Sequence, residues 1–336
     1  MPDFRRLTPF LALLAGLLLA ACGQNASRPP TPTLILPKTY TPTATPPPPT
    51  PTATDTPTPP ATPTPTPVPA PTATPVPAHH NAINGVPYEA YIIMDDAVRT
   101  HVREIFAQGL KMGRNPFAFS KMGDSIIANK HFLRDFDGQD PNLRPYNLGD
   151  YQYLQETIDY YSGSFDRYGA AVRPGLNSLM ILNPRWTDNE ECLPRENMVD
   201  CEIRLNNPSV AIIQLGTNDR ANVLAINYDR LVAHLVEEGV IPILFTKADR
   251  GGGPNNENNE IIRWIASKYK VPLIDFDRLA DTLPHRGLKS DNTHLSAAPR
   301  FDYSDPNTFR YGDAIHNLSA LMMLDEVRTA ITEPAP

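Results

Sequence analysis

Twenty of the fifty residues from Pro29 to Ala78 are proline, and sixteen are threonine. Proline carries no backbone N–H and fixes φ, so this stretch supports neither helix nor sheet. It predicts a disordered Thr/Pro-rich linker of polyproline II character, with a reach on the order of 150 Å when fully extended. The composition also suits O-glycosylation. The linker divides the 336-residue chain into unlike parts. Residues 79–336 hold only 16 of the 38 prolines, an ordinary share, and they suffice for one sizeable domain. Residues 1–78 carry Arg5, Arg6, Arg28 and Lys38 against Asp3 and Asp55, a balance of +2, so the total of −7 leaves −9 on residues 79–336. Phosphate contacts need clustered Lys and Arg, so an acidic domain without a basic run argues against a nucleic-acid partner.

The first residues have the pattern of an export signal. Arg5 and Arg6 form a positive start, and Phe10 to Ala21 follow as twelve uncharged residues. A membrane-spanning helix needs about 20, so this run fits a signal peptide over 1–21. It ends in Leu19-Ala20-Ala21-Cys22, which resembles the lipobox of bacterial lipoproteins. The resemblance implies that Cys22 is lipidated after cleavage, so that residues 22–78 tether the domain to the outer face of a membrane. Two cysteines remain, Cys192 and Cys201, nine positions apart. In an exported protein they are expected to pair. In the chain-entropy model a loop of this size is stabilised by roughly 2–3 kcal/mol. The alternative, a zinc site, lacks nearby histidines.

Within the domain, Asp95 to Lys111 places Val98, Val102, Ile105 and Phe106 on one helical face. Further helices are expected over 150–161, 227–238, 260–269 and 315–327. Val210–Ile213, Ile241–Phe245 and Val271–Ile274 are continuous apolar runs, the mark of strands buried on both faces. Strands alternating with helices predict an α/β fold with a mostly parallel sheet. Ligands in such folds sit at the carboxyl ends of the strands.

A short apolar run, Phe117-Ala118-Phe119, leads into Gly123-Asp124-Ser125; Gly216-Thr217-Asn218-Asp219 follows the Val210 strand; and Asp291-Asn292-Thr293-His294 follows the Val271 strand after one more helical stretch. They supply a hydroxyl, a carboxamide and a histidine with a carboxylate. A serine needs a base to take its proton, a histidine does so near neutral pH, and a carboxylate orients the imidazole. An oxyanion needs donors such as backbone N–H groups or an Asn amide. In this order the blocks resemble those of the GDSL/SGNH hydrolases, over most of residues 117–325. The resemblance implies a flavodoxin-like three-layer α/β/α sandwich and ester or thioester hydrolysis. It implies Ser125 as nucleophile, His294 as base and Asp291 as its orienter. Asn218, with backbone N–H groups of Ser125 and Gly175, would bind the oxyanion. No cofactor or metal is required. Gly175 is preferred over Gly163 and Gly169 because Gly175-Leu176-Asn177-Ser178 resembles the family's glycine block better. Ile126 stands where the family has leucine, a shape-conserving change. The expected substrate is an O-acyl ester, with acetyl groups on carbohydrate as one form. The rivals are a lipid ester, a thioester, or a surface protein that only binds.

Several other signals are set aside. Asp313-Ala314-Ile315-His316 repeats the Asp-x-x-His spacing, but it opens an apolar helix, where the aspartate is expected to be an N-terminal capping or first-turn residue. Asp135-Phe136-Asp137-Gly138-Gln139-Asp140 lacks the spacing of an EF-hand and is expected to be a solvated turn. Trp186 and Trp264 are expected in the core, with Trp186 the better ligand candidate. His79 and His80 are expected to be exposed. The 40 residues between Gly175 and Gly216 are expected to form an elaborated loop carrying the cysteine pair.

Overall fold

The computed structural model describes residues 82–137, 143–187, 190–251, 253 and 255–333. The expected signal peptide, Cys22, the linker and His79-His80 lie outside the described residues. The strands in chain order are β1 (Ile92–Ile93), β2 (Asn115–Gly123), β3 (Tyr146–Asn147), β4 (Pro208–Gln214), β5 (Ile241–Phe245), β6 (Leu273–Ile274) and β7 (Phe301–Asp302). The helices are α1 (Asp96–Lys111), α2 (Gln155–Tyr160), α3 (Ser178–Ile181), α4 (Met198–Asn206), α5 (Ala221–Glu237), α6 (Glu257–Tyr269), α7 (Phe276–Ala280) and α8 (Gly312–Thr332).

The main sheet has the order β1-β6-β5-β4-β2, with β3 and β7 pairing separately. Pairs β2–β4, β4–β5 and β5–β6 are parallel, and only the edge strand β1 is antiparallel. Beyond β2 a single parallel bridge, Gly123 to Val172, continues the sheet. The chain therefore leaves β2, touches one side of it at Val172, and crosses to β4 on the other side. That reversal of direction is the switch point where open α/β sheets bind ligands. Ser125 stands two residues past the end of β2, at this point.

All seven residues of β4 and all five of β5 are buried, as strands covered on both faces should be. Helices cover both sides: α1 packs with α8, and α5 packs with α6. The mostly parallel α/β sheet expected from the sequence is present. The long helix α8 departs from expectation. Besides Leu318, Leu321 and Met322 it buries Ala314, Ser319, Ala320, Met323 and Leu324, so it is enclosed on most faces. It lies between α1, α2 and the turn at Pro306–Arg310.

The segment between Gly175 and Gly216 is also more ordered than a loop. It contains α3 and α4, each started by an asparagine. The Asn197 side chain accepts from the N–H groups of Val199 and Asp200, and that of Asn177 from Met180. Helix α4 buries Cys201, which is joined to Cys192 in a disulfide with Cα atoms 5.3 Å apart. Its neighbour Glu202 is buried as well and accepts from the Ser120 hydroxyl of β2 and from the Ala170 N–H, both at 2.5 Å. The disulfide thus pins a surface loop to a helix that is anchored on the sheet.

At the mouth of β2, Gly123 is squeezed by β4. A Cβ there would meet the Gln214 carbonyl oxygen at 2.5 Å and an Ile127 side-chain carbon at the same distance. Backbone cannot retreat without breaking the β2–β4 register. Gly123→Ala should therefore lower stability by roughly 2–3 kcal/mol, in the range of overpacked cores, measured as a drop in the urea midpoint.

Candidate active site

The turn after β2 is built so that one residue faces outward. Asp124, Ile126 and Ile127 are buried, with Asp124 wholly inaccessible. Ser125 between them is half-buried. The Asp124 carboxylate accepts from the Ile126 N–H at 3.0 Å, and the Asp124 carbonyl accepts from the Ala128 N–H at 2.9 Å. Among the described residues no acceptor is found for the Ser125 N–H.

The residues from Asp291 to His294 form a tight turn, closed by an antiparallel bridge between Leu288 and Leu295. The Lys289 N–H donates to the His294 carbonyl at 2.8 Å. Inside the turn the Asp291 carboxylate does two things. One oxygen accepts from the N–H groups of Thr293 and His294, at 3.0 and 2.9 Å. The other meets His294 Nδ1 at 2.9 Å. His294 Nε2 lies 2.9 Å from Ser125 Oγ. A carboxylate only accepts, so Nδ1 carries the proton and Nε2 is left to accept from the serine hydroxyl. The backbone N–H of His294, then its side chain and the Thr293 N–H, hold the Asp291 carboxyl well below the usual carboxylate range. Both side chains stay open to solvent, His294 at 43% and Asp291 at 48%.

The glycine and asparagine blocks are hydrogen-bonded into the same region. The Gly123 N–H donates to Ala171, and the Arg173 N–H donates to the Gly123 carbonyl, both at 3.0 Å. Two residues on, Gly175 has φ +76°, and a Cβ there would touch nothing, so its backbone faces open space. Gly169 differs, since a Cβ would strike the Glu202 carboxylate at 2.9 Å. Gly163 lies elsewhere, its N–H held by Asp137. Asn218 Nδ2 donates to the Leu176 carbonyl at 3.1 Å, which uses one of its two N–H bonds. The neighbouring Asp219 carboxylate accepts from the Ser178 N–H and hydroxyl at 3.0 and 2.6 Å. Burial pushes the Asp219 carboxyl up, against those two bonds.

The sequence left out one residue of this region. Lys247, two positions past β5, is buried and its Nζ lies 2.8 Å from Asp124. The rule that directed attention to the residues after each strand applied equally to Phe245-Thr246-Lys247. Two expectations are corrected. Asp135 and Asp137 are buried rather than solvated: Asp135 takes Arg144 and His131, and Asp137 takes the N–H groups of Gly163 and Asp166. Trp186 and Trp264 are exposed, at 45% and 55%, not core. Asp313 lies in the first turn of α8, as expected, and there accepts from the Ala298 N–H and meets Arg144.

His316, the rival histidine, is buried among the rings of Phe132, Phe245 and Phe276, with Nε2 3.0 Å from Gln214 Oε1. The cysteine pair, with Glu196 close by, makes no thiolate metal site, because its sulfurs are bonded to each other.

No protein-family model matches the chain, and no curated protein matches it. Among solved structures it is similar to a psychrotrophic esterase from Pseudoalteromonas sp., with 15% identity, 61% of this chain and 98% of that one covered, and a TM-score of 0.36. It is similar to an acetylxylan esterase from Geobacillus stearothermophilus, with 15% identity, coverage of 62% and 93%, and a TM-score of 0.39. It is also similar to a protein described as lipolytic and of the G-D-S-L family from Desulfitobacterium hafniense, with 14% identity, coverage of 61% and 98%, and a TM-score of 0.37.

Burial pushes the His316 imidazole down to about 3, with the Lys247 charge acting in the same direction. Between that value and about 6.5 the unfolded chain binds a proton that the folded chain does not, so stability falls as pH drops through this window. The slope from this group is up to ~1.4 kcal/mol per pH unit. Urea titrations between pH 7 and 4 should show His316→Gln with a shallower loss than the wild type, by up to one proton.

Proposed function

We propose that this chain is an exported, lipid-anchored serine esterase that hydrolyses an O-acyl ester. The observation that carries the reading is the unbroken path from Ser125 Oγ through the His294 ring to Asp291, each contact 2.9 Å long. Ser125 Oγ attacks the ester carbonyl carbon while His294 Nε2 takes the hydroxyl proton. Asp291, ionised far into acid, balances the imidazolium. The Ser125 and Gly175 N–H groups and the second Asn218 amide proton are the donors for the oxyanion. Collapse of that intermediate expels the alcohol, which takes the proton from His294. Water, activated by the same imidazole, then releases the acid from Ser125.

An acyl group on carbohydrate fits best as substrate. The expected tether from Cys22 holds the domain outside the cell, and the half-exposed His294 and Asp291 suit an acyl group presented on a bulky alcohol. Trp186 adds an exposed aromatic face, and its carbonyl is bonded to Arg173, two residues before Gly175. Aromatic faces of this kind offer apolar area with a polar rim. Among the described residues no helix is long and apolar enough to cross a membrane.

The purified protein should hydrolyse p-nitrophenyl acetate, and Ser125→Ala should reduce kcat at least 1,000-fold, on the order seen when a triad member is removed. Acetylated sugars should be turned over faster than long-chain p-nitrophenyl esters. The opposite order would favour a lipid ester, and a wild type as inert as the variant across acyl groups would leave only a binding protein. Separately, Cys22→Ala should move the protein out of the membrane fraction of expressing bacteria. Wild-type protein found free of membranes would sink the anchor.

A further inference from the structure

We propose that Lys247 is a positioning residue for this reaction: its buried ammonium locks the Asp124 carboxylate that sets the nucleophile turn. The proposal rests on the esterase reading above. Lys247 and Asp124 are 4% and 0% exposed in their side chains, and Nζ meets Oδ2 at 2.8 Å. The other carboxylate oxygen, Oδ1, accepts from Ile126 N–H. Turning that peptide inward fixes the backbone on either side of Ser125 and leaves the Ser125 N–H without an acceptor among the described residues. A carboxylate free to rotate would not hold one peptide plane so firmly. The ammonium removes that freedom, because Oδ2 is already engaged.

Lys247 is itself clamped at its root. Its N–H donates to Asn259 Oδ1 at 2.7 Å, and its carbonyl accepts from Asn259 Nδ2 at 2.8 Å. Asn259 is buried on α6. Between root and tip the side chain passes beneath the asparagine block: its Cδ lies 3.3 Å from where a Cβ of Gly216 would stand. One side chain just past β5 therefore supports both the turn that carries Ser125 and the loop that carries Asn218. Two of the three donors assigned to the oxyanion depend on its placement.

The test compares the wild type with Lys247→Met, Lys247→Arg and the double variant Asp124→Asn/Lys247→Met, all as full chains. For each, kcat and KM for p-nitrophenyl acetate are measured together with thermal unfolding. Lys247→Met should lower kcat by 10- to 100-fold with KM within threefold, and Lys247→Arg should recover part of kcat. The double variant carries no unpaired buried charge and should regain thermal stability while its kcat stays near that of Lys247→Met. Recovery of kcat along with stability would mean that Lys247 only neutralises Asp124, and the proposal fails. It also fails if Lys247→Met keeps kcat within twofold. If Lys247→Met does not fold, the double variant and the arginine variant decide by the same criteria. An inert wild type overturns the esterase reading and this inference together, whereas an active wild type with active variants overturns this inference alone.

Discussion

Asp124 has no exposed surface, and its charge is met by the Lys247 ammonium from beyond the end of β5. Breaking a buried pair of this kind costs about 3–5 kcal/mol, because the remaining charge has no solvent to turn to. The pair spans the sheet: β4 lies between the strands that supply its two members. The intervening Gln214 joins the same network, since its carbonyl meets the Asp124 N–H and its amide donates to the Thr246 carbonyl. The ends of β2, β4 and β5 are thereby tied by polar bonds in a region sealed from water. Such bonds are directional in a way that apolar packing is not, and the proposed reaction at Ser125 needs fixed directions.

The topology explains why the tie falls where it does. Parallel strands all deliver their carboxyl ends to one edge of the sheet, and the chain reverses its direction of travel around β2. Open α/β sheets bind ligands where the loops diverge at such a point. Ser125 follows β2, Asn218 follows β4, and Gly175 follows the Val172 bridge on the far side of β2. His294 arrives from a separate turn, hinged on the Leu288–Leu295 bridge. Each contribution is held at its base by a buried partner: Asp124 for Ser125, Ser178 and Asn258 for the asparagine block, and Leu295 for the histidine turn.

Much of this was legible in the sequence because it depends on local pattern. Val210–Ile213 and Ile241–Phe245 announce buried strands by continuous apolar runs. Asp291 and His294 are close in sequence and surrounded by turn residues. What escaped notice depends on partners brought from far away. Asp135 and Asp137 look like surface residues until Arg144 and the backbone of 163–166 are placed against them. Strand β1 has two residues, too few for any periodicity, and exists because β6 offers it an edge. Trp186 and Trp264 are apolar enough for a core, yet the core was already filled by smaller side chains from both faces of the sheet. Helix α4 was hidden behind cysteine and proline, although Asn197 followed by Asp200 is a fair helix start. Lys247 is hard to read from the sequence because a lysine after a strand is usually solvated; only the burial of Asp124 explains its own.

The two Asp-x-x-His pairs show how surroundings, not spacing, decide which histidine can work as a base. A base must accept a proton and give it back, so its charged form has to be tolerable. His316 is enclosed by three phenylalanine rings and pushed down to about 3, with the Lys247 charge nearby. A ring so placed stays neutral throughout the range in which a serine proton is moved. It serves instead as a fixed link to Gln214. His294 has water on one side, a carboxylate at Nδ1 and a hydroxyl at Nε2. The same carboxylate accepts from the backbone N–H groups of Thr293 and His294, which holds it in place beside the ring. In the proposed reaction, proton transfer at His294 would proceed against a carboxylate already in place, without reorganisation of the turn that carries it.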